Sequence, residues 1–381
     1  MSNIELGLDT FGDVTVGPDG APNHQAQVLR DVIAEAELAD RVGVDFFGVG
    51  EHHRPDFAIS APEVLLAAIA ARTERIGLGT AVTVLSSDDP IRVYQRFSTL
   101  NAVSGGRAEV ILGRGSFTES FPLFGYSVDD YERLFEEKLA LFAAIREAGR
   151  TGQPVRWKGT IRPPVEGLRV FPPVEHPPLK TWVGVGGSPQ SVVRAARYGF
   201  PLTLAIIGGD PRRFLPYVQL YYQSLTRFGF GLLPVGVHSP GHVAGTDEQA
   251  REELWPAYQV MRNRIGAERG WGPTSRAEFD GEIAAGSLYV GSPDTVAQKI
   301  AATVRALGVS RFDLKYSAGT LGHERMLRSI ELYGREVIPL VRRLLADTGH
   351  PEWTEGSFNA TSVRDGRADV SPRDPSRWQL S

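Results

Sequence analysis

Asp45-Phe46-Phe47-Gly48-Val49-Gly50-Glu51-His52-His53 joins a short apolar run to three ionisable groups in a row. The run over residues 45–50 has the length and composition of a strand buried on both faces. Packing gives no reason for three ionisable groups at its end. In a closed parallel barrel, chemistry collects where strands end and the loops to the next helices begin. These nine residues therefore predict a barrel strand with a working terminus.

The flanking sequence repeats the strand–helix alternation. Residues 4–9 read as a first strand. Val28, Leu29, Val32, Ile33, Ala36, Ala39 and Val42 then recur at helical spacing. Further strands are predicted at 76–84, 108–113, 181–185, 202–206, 235–244 and 311–316. Helices are predicted at 63–71, 91–102, 128–147, 188–198, 211–228, 247–265 and 324–345. Eight strands, each followed by a helix, predict an α/β fold, a single (β/α)8 TIM barrel; an open doubly wound sheet has the same element order. Residues 266–291 exceed a minimal barrel and read as an insertion before the last strand, with an extra helix at 295–307. The proline-rich segment 159–180 reads as an ordered excursion. Residues 1–349 are expected to form the barrel domain, and the polar segment 350–381 an extended C-terminal tail.

The chain has 381 residues, is 42% hydrophobic and carries a net charge of −4, without a long block of one sign. Such a balance points to a small-molecule partner, with no nucleic acid and no membrane. There is no cysteine, so disulfides, thiolate nucleophiles and cysteine-ligated metals are excluded. Neither a signal pattern nor an apolar run of about 18 residues is present, and a cytoplasmic location is expected.

Four strand ends carry groups that packing does not require. After the second strand, Glu51, His52 and His53 suit proton transfer, since histidine titrates near neutrality. The alternatives are a structural cluster or a metal site completed by Asp9; no metal is expected. Ala81, Val82 and Thr83 on the third strand would give a flat apolar wall suited to an aromatic ring. Arg114 lies between two glycines after the fourth strand, where a guanidinium can fork onto a phosphate. Gly186 and Gly187 precede Ser188-Pro189, a helix start whose free N–H groups and positive end suit phosphate, with Ser191 one turn in. Phe11, Phe57, Phe117 and Phe121 suggest an apolar pocket.

Together these motifs, with Gly105-Gly106-Arg107 before the fourth strand, resemble the bacterial luciferase-like monooxygenase family over roughly residues 4–345. The resemblance implies a barrel that binds FMN or a related deazaflavin at its C-terminal mouth. It implies a ring lying on the third strand, with a non-proline cis peptide near 81–83, and a phosphate held by Arg114, Ser188, Ser191 and nearby backbone N–H groups. His52 would act in proton transfer, with His53 and Glu51 in support. There are departures: Gly113 stands where luciferases carry a thiol, and Gly187 where luciferase has a glutamate. The expected function is a monooxygenase using reduced FMN and dioxygen on a small organic substrate. A separate flavin reductase and a homo-oligomer, dimer or tetramer, are expected partners. The alternatives are deazaflavin-dependent hydride transfer, a non-catalytic FMN-binding protein, and a metal-dependent hydrolase using His52 and His53.

Overall fold

The computed structural model describes residues 4–17 and 19–348; the predicted tail at 350–381 lies outside the described residues. Eight parallel strands form the barrel: β1 (Glu5–Thr10), β2 (Phe46–Val49), β3 (Gly77–Thr80), β4 (Glu109–Gly113), β5 (Lys180–Val185), β6 (Leu202–Ala205), β7 (Val235–Val243) and β8 (Arg311–Lys315). Each pairs in parallel with its neighbours in the chain except that β3 meets β4 through the single bridge Leu78–Ala108, and β8 pairs with β1, so the sheet nearly closes on itself.

The continuous strand predicted at 76–84 is broken. Gly77–Thr80 pairs with β2, whereas Thr83–Val84 pairs with the end of β4. Between them lies the Ala81–Val82 peptide, which is cis. The Thr80 hydroxyl stitches the break to β4, accepting from Ile111 N and donating to Ile111 O.

Side chains alternate along every strand. Leu6, Leu8, Phe47, Val49, Phe312 and Leu314 point outward and pack with the surrounding helices in one core. The helix Gln25–Arg41 contributes Val28, Val32, Ala36 and Ala39, the positions its periodicity predicts. The barrel interior is different. Phe46, Ile111 and Trp182 form a small separate cluster with Val82 against it. At the strand starts, Arg311 pairs with Glu109 and with Asp313 at 2.8 Å, and its guanidinium lies 3.5 Å from the Phe46 ring centre. Lys180 joins Glu109 at 2.5 Å. Ion pairs thus close the bottom of a barrel whose interior is ordinarily branched aliphatic. The upper ends of the strands form the site.

The remaining expectations resolve with small changes. The helix predicted at 247–265 runs from Asp247 to Arg269. The insertion holds a helix, Arg276–Ala284, and a short strand, Tyr289–Gly291, paired to β7. The proline-rich excursion is anchored by a hairpin of Val155–Trp157 and Val165–Leu168. The final helix is two helices, His323–Leu332 and Ile338–Thr348, joined by a π-helical turn. Among the described residues, no helix is long and apolar enough to cross a membrane.

Candidate active site

A cavity of about 310 Å³ opens at the C-terminal ends of the strands. Its upper walls are apolar, with Phe11, Phe57, Phe117, Met261, Ile265 and Trp271. Its floor is polar, with Asp9, Thr203, His238, Asp313 and Lys315.

Of the three ionisable groups after β2, His52 stands apart from the bonded pair Glu51 and His53. His52 faces the cavity inside an aromatic cage, its ring 4.7 Å from Phe11, 4.6 Å from Phe57 and 5.3 Å from Phe117, centre to centre. Burial pulls its pKa down to about 3; Asp13 opposes this, while Lys315, Arg54 and His53 add to it. His52 is therefore a neutral imidazole at pH 7. Glu51 turns to the wall. One carboxylate oxygen accepts from Val84 N at 2.8 Å, the other meets His53 Nε2 at 2.9 Å, and its own backbone N–H donates to Val82 O. Glu51 thus clamps both sides of the break after β3. His53 packs edge-on against Phe124, outside the cavity lining.

Ala81 and Val82 line the cavity, but Thr83 turns its hydroxyl into the wall and donates to Thr80 Oγ1 at 3.0 Å. Val82 also accounts for Gly113. A Cβ there would come within 2.3 Å of a Val82 methyl, so no side chain fits at the position where the resemblance places a thiol.

The phosphate-binding candidates gather at the rim. Arg114 pairs with Glu132 and lies 5.2 Å from the Tyr131 ring centre. Glu132 also takes Arg194 at 3.0 Å, and Arg194 reaches Ser191 Oγ at 3.4 Å. Ser188 caps the helix Pro189–Arg197, accepting from Ser191 N. Gly187 has φ 119°, a conformation side chains rarely adopt, and its carbonyl accepts from Tyr217. Gly186 lines the cavity itself. Arg194 escaped the sequence reading, although it sits three residues after Ser191, on the same helix face. Two guanidiniums, Arg114 and Arg194, share the carboxylate of Glu132, which is 59% exposed, and Arg194 also binds Glu136 at 2.5 Å.

The floor was missed almost entirely. His238 Nδ1 lies 2.7 Å from Asp9 Oδ2. Burial opposes charging this ring, yet Asp9, by charge and hydrogen bond, and Asp313 hold its pKa above the ordinary imidazole value. Asp9 Oδ1 is buried without a hydrogen-bond partner, as is Thr203 Oγ1. Burial pushes Asp313 up to about 7 against the pull of Arg311. Over the mouth, Arg54 binds Glu268 at 2.5 Å, pairs with Glu119 and lies 4.4 Å from the Phe117 ring centre. That one arginine ties together the segments following β2, β4 and β7.

Known proteins share this architecture. An uncharacterised Sinorhizobium fredii protein is 31% identical, aligned over 46% of this chain and 51% of its own length. The 4-hydroxyprotoasukamycin monooxygenase of Streptomyces nodosus is 29% identical over 80% of this chain and 84% of that protein. The oxygenating constituent of 3,6-diketocamphane monooxygenase from Pseudomonas putida, solved with FMN, superposes with a TM-score of 0.70 at 20% identity, covering 88% of this chain and 98% of its own. An F420-dependent secondary alcohol dehydrogenase superposes with a TM-score of 0.67 at 17% identity, covering 89% and 99%. The luciferase-like monooxygenase family model matches residues 10–311. The chain belongs to the luciferase-like monooxygenase family.

Proposed function

We propose that this enzyme uses reduced FMN and dioxygen to oxidise a small, largely apolar organic molecule, the flavin being supplied by a separate reductase. The observation that carries the reading is the pairing of an apolar wall with an anion site across one rim. Ala81 and Val82, braced by Glu51, offer a flat surface to a ring. Arg114, Arg194, Ser188 and Ser191 offer charge-assisted and helix-start contacts to a terminal phosphate. At Gly186 an added Cβ would meet nothing within 4 Å, so the backbone there leaves open space beside the wall.

Bound reduced flavin would supply the two electrons that activate dioxygen. The chain's own residues do the rest. Phe11, Phe57 and Phe117 exclude water around the reacting centre. His52, neutral in its cage, offers one N–H and one lone pair and holds a reacting oxygen by hydrogen bond. His238 and Asp9 hold a proton at the floor. Arg54 fastens the mouth.

The test is an anaerobic titration with FMN, FAD and a deazaflavin in both redox states, followed by oxygen uptake over a substrate panel. FMN is expected to bind more tightly than FAD, because two guanidiniums and a helix start favour a terminal dianion. Exclusive binding of the deazaflavin would replace the oxygen chemistry by hydride transfer, the activity that the F420-dependent neighbour's name describes.

A further inference from the structure

A line of polar side chains crosses the molecule beside the junction of β1 and β8. His323 Nδ1 lies 2.7 Å from Glu35 Oε1. The Tyr316 hydroxyl donates to the other Glu35 oxygen at 2.6 Å, and Thr10 is the next polar side chain beside it. Thr10 donates to Ser317 Oγ at 2.8 Å, and Ser317 donates to Asp13 Oδ2 at 2.6 Å. Lys315 Nζ donates to the same Asp13 oxygen at 2.9 Å. The five middle members are at most 2% exposed. The ends are open: His323 is 25% exposed, beside Asp31 and Glu324 at the surface, and Lys315 lines the cavity.

Buried polar groups need partners, and a network serving only that need can close on itself. This one runs from solvent to the cavity with one gap, between Tyr316 and Thr10, which the Tyr316 hydroxyl closes by turning from Glu35. We propose that it conducts protons between solvent at His323 and the cavity at Lys315.

The need for such a path rests on the flavin reading. Anionic reduced flavin, dioxygen and one proton give oxidised flavin and hydrogen peroxide. With an organic acceptor, the same three and the acceptor give oxidised flavin, oxygenated acceptor and water. Either way one proton is consumed per turnover, and Phe11, Phe57 and Phe117 exclude water from the upper cavity, so the polar line supplies a route the upper walls lack. Each transfer breaks one N–H or O–H bond and makes the next. A proton lost from Lys315 to the cavity is replaced through Asp13 and Ser317, and His323 recovers its own from solvent.

The first arm of the test needs no flavin. In the full chain labelled with ¹³C-tyrosine, exchange of the Tyr316 hydroxyl is read from the deuterium isotope effect on its ring carbon. It is expected to exceed exchange of the Tyr316 amide, which reports local opening. His323→Gln keeps a hydrogen bond to Glu35 but cannot relay a proton at neutral pH. It should slow hydroxyl exchange by about 10², the lower end of what one positioned acid–base group contributes, and added imidazole should restore the rate. Hydroxyl exchange no faster than the amide, or unchanged in His323→Gln, would overturn the path. In the second arm, Tyr316→Phe should leave FMN affinity alone but slow proton uptake when bound reduced FMN meets dioxygen; an unchanged rate also overturns it. If the wild-type protein failed to bind FMN, the functional reading would fall and the exchange arm would still decide the path.

Discussion

Phe11 stands between two histidines, with His52 edge-on at 4.7 Å and His238 stacked at 6.0 Å. Their environments push them in opposite directions. His52 sits among phenylalanines and is pulled down to about 3, mainly by burial. His238 is as deeply buried, yet Asp9 holds it above the ordinary value. The residue type is the same; a carboxylate at hydrogen-bond distance reverses the sign. One cavity thus holds an imidazole whose protonation is disfavoured above and one whose protonation is favoured below, the kind of divergence that separates acid and base roles.

The largest expected effect comes from removing the upper histidine. His52→Phe fits the aromatic cage but gives no hydrogen bond. Turnover, measured on the best substrate from the panel, should fall by about 10²–10⁴, with FMN affinity close to wild type. Retained activity would reduce His52 to a packing residue.

The two rings should also leave opposite marks on stability against pH. His52 takes up a proton more readily unfolded than folded. Its contribution is present above about 6.5, the unfolded value, and is lost as pH falls towards about 3, a difference on the order of 5 kcal/mol. His238 is the reverse: its contribution is complete below the unfolded value and is lost as pH rises through its folded value. Urea titrations across pH should therefore show the acid limb flattened in His52→Phe and the alkaline limb flattened in His238→Gln. Parallel changes in the two variants would contradict the comparison.

Asp9 makes the difference, so Asp9→Ala should erase it. Removing one partner of a buried pair costs about 3–5 kcal/mol, readable from the urea midpoint at pH 6. The His238 imidazole should then titrate below 6.5 by NMR. A surviving high value would assign the shift to Asp313 instead.

Much of this was legible in advance, and the rest was hidden for identifiable reasons. The outward faces of the strands announce the barrel because their apolar residues recur between helices. Glu51-His52-His53 stood out because three ionisable groups followed an apolar run. The sequence does not say that His52 faces the cavity free of Glu51 and His53, which bond each other, or that Glu51 is bound to the break at Ala81–Val82. His238 was hidden among Ser239, Pro240 and Gly241, which read as strand filler. Arg311, Asp313 and Lys315 alternate with Phe312 and Leu314 in plain view. Alternation alone does not tell a barrel interior from solvent, and charges at alternate positions suggest the latter.

The rim should give the smallest effect, since Arg114 shares its work with Arg194. Arg114→Ala is expected to weaken FMN by about 1.5–3 kcal/mol in a fluorescence titration, while riboflavin, lacking the phosphate, stays nearly unaffected. Equal losses for both ligands would place the phosphate elsewhere.

The most direct test of the account is a crystal structure grown with FMN. The account predicts the phosphate between Arg114 and Arg194, near Ser188 and Ser191, with Glu132 turned out to solvent and the ring against Ala81 and Val82. A phosphate bound away from that rim, or a ring lying clear of the Ala81–Val82 wall, would contradict it.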